Sequence, residues 1–97
     1  MKIDRRDIEQ NLPAKGFEVV RDGHHIYFHH VYSGKRTSAY TYISHSSKYR
    51  DINARGGIID SMKKQLRLRT AAEVRDLINC PMDEEKYVKI LKEGGNL

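Results

Sequence analysis

Phe17-Glu18-Val19-Val20-Arg21-Asp22-Gly23-His24-His25-Ile26-Tyr27-Phe28-His29-His30-Val31 carries the pattern of a β-hairpin, and the rest of the chain is arranged around it. Residues 17–21 are rich in β-formers and alternate in character. Asp22-Gly23 is a preferred pair for a two-residue type I′ hairpin turn. His24 to Val31 alternates again, Ser33-Gly34 offers a second turn, and Arg36 to Ile43, rich in Thr and Tyr, supplies a third strand.

With two-residue loops at Asp22-Gly23 and Ser33-Gly34, the pairing register follows. Val19 faces Ile26 and Phe17 faces Phe28. Across the second turn Ile26 faces Thr41, Phe28 faces Ala39 and His24 faces Ile43. One sheet face then collects Phe17, Val19, Ile26, Phe28, Ala39 and Ile43 and reads as a core. The other collects Glu18, His25, Tyr27, His29, Arg36, Tyr40 and Tyr42 and is wet.

Outward from the hairpins the period becomes helical. Asp4 is a candidate cap for a first helix, with Ile3 as a staple and Ile8 and Leu12 on one face; Pro13 and Gly16 end it. Residues 44–56 read as a polar, basic loop, long enough to suggest a functional role. A second helix is expected from Gly56-Gly57, with Ile58, Ile59, Met62 and Leu66 as its apolar stripe. Thr70-Ala71-Ala72-Glu73 is a capping-box pattern for a third helix with Val74, Leu77 and Ile78 inward. Pro81 breaks the chain, Asp83 caps a last helix carrying Val88, Ile90 and Leu91, and Gly94-Gly95 stops it. The expected fold is an α+β sandwich, α-β-β-β-α with a three-stranded antiparallel sheet, in the arrangement of double-stranded-RNA-binding domains. Residues 1–68 form this unit and 69–97 a helical C-terminal extension packed on the same domain.

The bulk numbers suit one small domain: 97 residues, of which 38% are hydrophobic. Eighteen Lys and Arg against thirteen acidic residues leave a net charge of +5, which favours a polyanionic partner but does not by itself require one. One cysteine, Cys80, excludes an intramolecular disulfide and a cysteine-based zinc site, and is read as a buried thiol. No signal peptide and no bilayer-spanning run stands out, so a soluble, cytoplasmic protein with no membrane partner is expected.

Four of the five histidines lie between Gly23 and His30. As a metal site they are poorly spaced. His25 and His29 share a face, but four residues at ~3.3 Å each separate them by ~13 Å, whereas metal ligands sit ~2 Å from the ion. No metal or other cofactor is expected. His29 and His30 are read as structural, with surface contact to RNA as the lesser alternative. A catalytic role needs no metal, because RNA carries its own nucleophile. A histidine that takes the 2′-OH proton lets that oxygen attack the adjacent phosphorus. The products are a 2′,3′-cyclic phosphate and a 5′-OH, and cations must stabilise the developing charge. His24, next to the first turn, is the candidate acid/base, with Arg21 as its cross-turn neighbour and His45 beside Asp22. His45 is either a second proton carrier or a loop residue without a role. Arg21, Lys48, Arg50 and Arg55 are candidate phosphate contacts, although each charge taken alone is more often a solvated group or a positioning contact.

Lys15-Gly16-Phe17-Glu18-Val19-Val20-Arg21 followed by Gly23-His24-His25-Ile26-Tyr27-Phe28-His29 resembles the HicA toxin family, whose members typically carry Lys-Lys-Gly-Phe and then Gly-Ser-His ahead of the second strand. His45 and Gly57-Ile58-Ile59-Asp60-Ser61-Met62-Lys63-Lys64-Gln65-Leu66 resemble the family's third-strand end and second helix. The likeness covers roughly residues 4–68 and is moderately specific in combination. It implies a double-stranded-RNA-binding-like fold, metal-independent cleavage of mRNA by a strand-2 histidine, and neutralisation by a HicB-like antitoxin. Alignment through His-Ile-Tyr places the catalytic position on His24; alignment through the glycine places it on His25. The Ser of Gly-Ser-His is absent here, the turn is one residue shorter, and residues 69–97 exceed the usual toxin length. Those residues cover a face, bind a partner or form a homodimer contact.

Two other classes fit the same residues. One is a non-catalytic RNA-binding module, in which Tyr27, Tyr40 and Tyr42 with His25 and Arg36 stack bases on the open sheet face; such a ladder is more often plain cross-strand packing. The other is a partner-binding domain that docks through its C-terminal helices.

Overall fold

The computed structural model of the chain describes residues 5–44, 58–79 and 81–97. In order these form α1 (Arg5–Asn11), a 3-10 turn (Pro13–Lys15), β1 (Phe17–Asp22), β2 (His25–Tyr32), β3 (Lys35–Ser44), α2 (Ile58–Gln65), α3 (Ala71–Ile78) and α4 (Glu84–Glu93). The strands make one antiparallel sheet in the order β1-β2-β3. The fold is therefore α+β, with α1 and α2 flanking the meander in sequence and two further helices after them. Ile3, Asp4 and the loop through Gly56-Gly57 lie outside the described residues, as does Cys80.

The first hairpin turns one residue later than its Asp22-Gly23 pair suggests. Gly23 and His24 form the loop, and Asp22 pairs with His25. Gly23 alone takes a positive φ, +56°, which matches a turn with glycine at its first central position. A type I′ turn on Asp22-Gly23 would have placed Asp22 in the left-handed region as well. Moving the loop by one residue moves every pair by two. Phe17 faces His30 rather than Phe28, Val19 faces Phe28 rather than Ile26, and Arg21 faces Ile26 rather than His24. Because the shift is even, each side chain keeps its face.

The second turn falls on Ser33-Gly34 as expected, with φ of +53° and +78°. Beyond it the β2–β3 register slips between His29 and Val31. His30 alone stands opposite Thr37, Ser38 and Ala39, so Ile26 meets Ile43 and Phe28 meets Thr41. Thr37 secures this bulge. Its Oγ1 donates to the His30 carbonyl at 3.3 Å and accepts from the Ala39 amide at 3.1 Å. The slip sets two isoleucines opposite each other in the core column.

The inner face carries buried Phe17, Ile26, Phe28, Ala39 and Ile43, together with Thr41 and His30. Val19 is the exception to the expected core, at 37% exposed; β1 is an edge strand, so Val19 has a strand neighbour on one side only. Ile8 and Leu12 of the N-terminal segment, Met62 and Leu66, Val74, Leu77 and Ile78, and Ile90 and Leu91 complete a single core cluster. Val88, expected inward, is only half-buried, and Tyr87 takes the inward place. Tyr87, Ile90 and Leu91 share the i, i+3, i+4 face that packs on the domain. Residues 69–97 thus contribute to the same core as residues 1–68.

Polar ties hold the helix ends to that core. Thr70 and Glu73 form the capping box of α3, and the Asp83 carboxylate caps α4 through the Lys86 amide. Asn11 Nδ2 donates to the Ile78 carbonyl at 2.6 Å, and buried Lys15 donates to the Leu77 carbonyl. Both ties satisfy carbonyls at the C-terminal end of α3, where a cation is favoured. No helix among the described residues is long and apolar enough to cross a membrane.

Candidate nucleic-acid interface

The hairpin turn determines where the leading candidate lies. His24 occupies the second loop position and is exposed. It is not a strand residue opposite Ile43, and Arg21 is not its paired neighbour. Arg21 lies three residues earlier, with its guanidinium exposed and Nη1 3.9 Å from Glu9 Oε1 of α1. His25 follows as the first residue of β2, pairs with Asp22 and Ser44, and is half-buried. His24 and His25 are thus consecutive but differently presented: one at a loop tip, the other on the sheet. His45, Lys48, Arg50 and Arg55 lie outside the described residues.

The outer sheet face continues from His25 as a field of rings, because alternate residues of β2 and β3 project on one side. Tyr27 and Tyr42 are direct cross-strand partners with ring centroids 5.4 Å apart. His29 and Tyr40 are partners at 6.0 Å and nearly parallel, with 25° between the planes. Along β2, His25 to Tyr27 is 6.0 Å and Tyr27 to His29 is 6.1 Å. The His25 ring meets Tyr42 edge-on at 5.3 Å. All these separations fall within the range of favourable aromatic pairs. Tyr42 is exposed and the other four rings are half-buried. None of the five belongs to the core cluster.

Charge is set at the far end of this face. Arg36 donates from Nε to Glu18 Oε1 at 3.1 Å, and a second guanidinium nitrogen bonds the same oxygen. Partial burial holds the His29 imidazole below its usual range, the Arg36 charge adds to that, and Glu18 opposes it. At neutral pH His29 is therefore an uncharged ring beside Tyr27 and Tyr40.

His30 points the other way and is a core residue. Its ring is buried between Phe17 at 5.2 Å and Tyr87 at 5.1 Å. Nδ1 lies 3.3 Å from Thr37 Oγ1, and Nε2 has no hydrogen-bond partner among the described residues, standing 3.9 Å from Glu84 Oε2. Burial lowers its pKa, so the ring is neutral and its approach to Glu84 is not an ion pair at neutral pH. The structural reading of His30 therefore holds.

No family model, curated protein or solved structure matches the chain.

Among the described residues no group of three or more His, Cys, Asp or Glu side chains is placed to hold a metal ion. The described surface instead offers an exposed imidazole at a hairpin tip and, next to it in sequence, an open row of five rings with polar edges. Sequence alternation had already put His25, Tyr27, Tyr40 and Tyr42 on this face. The same alternation puts His29 there, and the structure adds it to the expected stacking set of Tyr27, Tyr40, Tyr42, His25 and Arg36, since its ring lies nearly parallel to those of Tyr27 and Tyr40.

Proposed function

We propose that this chain is a metal-independent endoribonuclease of the HicA toxin type, with His24 as acid/base. The observation that carries the reading is the exposed position of His24 at the β1–β2 turn, where an imidazole can reach a ribose without displacing core side chains. In the reaction the His24 imidazole accepts the 2′-OH proton and the 2′-oxygen bonds to the adjacent phosphorus. The P–O5′ bond breaks, and the 5′-oxygen leaves with a proton from water or from His25. A 2′,3′-cyclic phosphate and a 5′-OH result. Arg21 is the described cation at this end of the hairpin and the one proposed to meet phosphate.

The resemblance of residues 4–68 to the toxin family supports the reading and brings with it a HicB-like antitoxin as partner. The net charge of +5 supports an RNA substrate. The deciding experiment incubates the purified chain with RNA in EDTA, beside His24→Ala and His25→Ala. Cleavage that leaves cyclic-phosphate ends and disappears in His24→Ala is the expected result. Undiminished cleavage by His24→Ala would overturn the assignment. Binding with no cleavage by the wild type would leave an RNA-binding module instead.

A further inference from the structure

We propose that the ring-bearing face of β2 and β3 is a stacking platform for single-stranded RNA that leads the strand to His24. The inference rests on the nucleolytic reading only for what happens at His24; the platform itself stands on the geometry of the face. His25, Tyr27 and His29 run along β2 in steps of 6.0 and 6.1 Å, and Tyr42 and Tyr40 extend the row sideways onto β3. Every ring has a π-face for stacking and a hydroxyl or ring nitrogen at its edge.

That combination selects the occupant. A base has a flat face and a hydrogen-bonding rim, and both find partners here. In a duplex the flat faces are already stacked on one another, so a row of aromatic rings discriminates in favour of the single strand. The tyrosines and histidines outnumber the half-buried Val20 and Val31 on this face, so it offers ring faces with polar edges, the surface a base needs. Tyrosine also serves protein interfaces, and a second copy of this chain is therefore an outcome of the test. The net positive charge suits a phosphate backbone, and exposed Arg36, held to Glu18, stands at the end of the face remote from the first turn. The row also has a direction. His25, its last ring, is the immediate neighbour of His24, so a strand stacked from His29 towards His25 presents its next ribose at the hairpin tip.

The test uses the full chain and a short fluorescein-labelled 2′-O-methyl RNA of mixed sequence, which cannot be cleaved by its own 2′-oxygen. It is offered single-stranded and as the duplex, and binding is read by anisotropy. The single strand is expected to bind more tightly than the duplex. Tyr27→Leu and Tyr42→Leu, which keep an apolar side chain but remove the ring, should each weaken single-strand binding by roughly 5- to 150-fold. Tyr27→Phe and Tyr42→Phe should bind like the wild type, and all four should melt with wild-type cooperativity. Equal affinity of the Leu variants, or preference for the duplex, overturns the platform. So does a face occupied by a second copy, seen in sedimentation as a dimer lost in Tyr42→Leu with RNA affinity unchanged. Failure of the nuclease reading looks different: His24→Ala cleaves unmodified RNA like the wild type while the Leu variants still lose binding.

Discussion

The His30 imidazole stands edge-on to the Tyr87 ring, with centroids 5.1 Å apart and 86° between the planes. Phe17 completes the group, stacked on Tyr87 at 5.6 Å. One residue from each of β1, β2 and α4 thus meets in a buried aromatic cluster that joins the C-terminal extension to the first hairpin. The residues are far apart in sequence, so the cluster is a consequence of tertiary packing, and it makes α4 an integral part of the domain.

Tyr87 tests that junction. Its hydroxyl donates to the Leu66 carbonyl at 2.7 Å, and both are buried; burial also drives the phenol pKa far upward, so it stays a donor at all ordinary pH values. Tyr87→Phe should cost about 1–3 kcal/mol, the loss of one buried hydrogen bond with its acceptor left unpaired. Tyr87→Ala should cost about 3–5 kcal/mol. Urea denaturation measures both, and a Phe variant as stable as the wild type would remove the bond from the account.

Acid should loosen the same junction. The folded pKa of His30 lies below the unfolded value of about 6.5. The unfolded chain therefore binds the proton more readily, so stability is full above that pH and is lost as the pH falls through the lowered folded value. Glu84, 3.9 Å from Nε2, faces the ring and would moderate the loss once the ring is charged. His30→Leu should flatten the fall in unfolding free energy between neutral pH and pH 5. An unchanged slope would show that the ring does not titrate in this window.

Gly16 has a φ of +88°, and a Cβ there would collide with the Glu84 carboxylate. Glu84 is partly exposed and can swing aside, so the backbone conformation is the lasting cost. Gly16→Ala should destabilise by roughly 1–2 kcal/mol. Adding Glu84→Ala should recover little of it in thermal melts; full recovery would mean that the collision was the whole effect.

Thr37 holds the β3 bulge through its hydroxyl. Thr37→Val keeps the shape and removes both of these bonds together with the contact to His30 Nδ1, at an expected cost of about 1–3 kcal/mol. The Ala39 amide should also exchange faster with solvent, because its acceptor is gone. Unaltered exchange would mean that the bulge is maintained by the strands alone.

His24 makes a sharp functional prediction because it is exposed. His24→Ala should leave the unfolding free energy within about 0.5 kcal/mol and lower RNA cleavage by about 100-fold or more. A large loss of stability would show that the imidazole has a structural role.

Much of this molecule could be read from local chemistry. The strand alternation of residues 17–43, the Ser33-Gly34 turn, the capping box at Thr70 and the Asp83 cap all depend on neighbours in the chain, and all are found. The separation of ring-bearing from core-bearing positions was legible too, because a strand's side-chain period is two whatever its register. The amount of shift was not legible. Asp22-Gly23 and Gly23-His24 are both competent turns, and the choice between them appears only in the β1–β2 pairs, such as Val19 with Phe28 and Phe17 with His30, while the Ile26–Ile43 pair follows separately from the bulge at Thr37.

Periodicity and composition alone carry the α+β order, the two faces of the sheet and the surplus of positive charge. Tertiary structure decided the rest. It placed His24 in the loop, Val19 at an open edge, and His30 against Tyr87 of the last helix. The physical reason is that register and burial depend on which apolar groups can be packed together at least cost, and that comparison involves residues far apart in the chain.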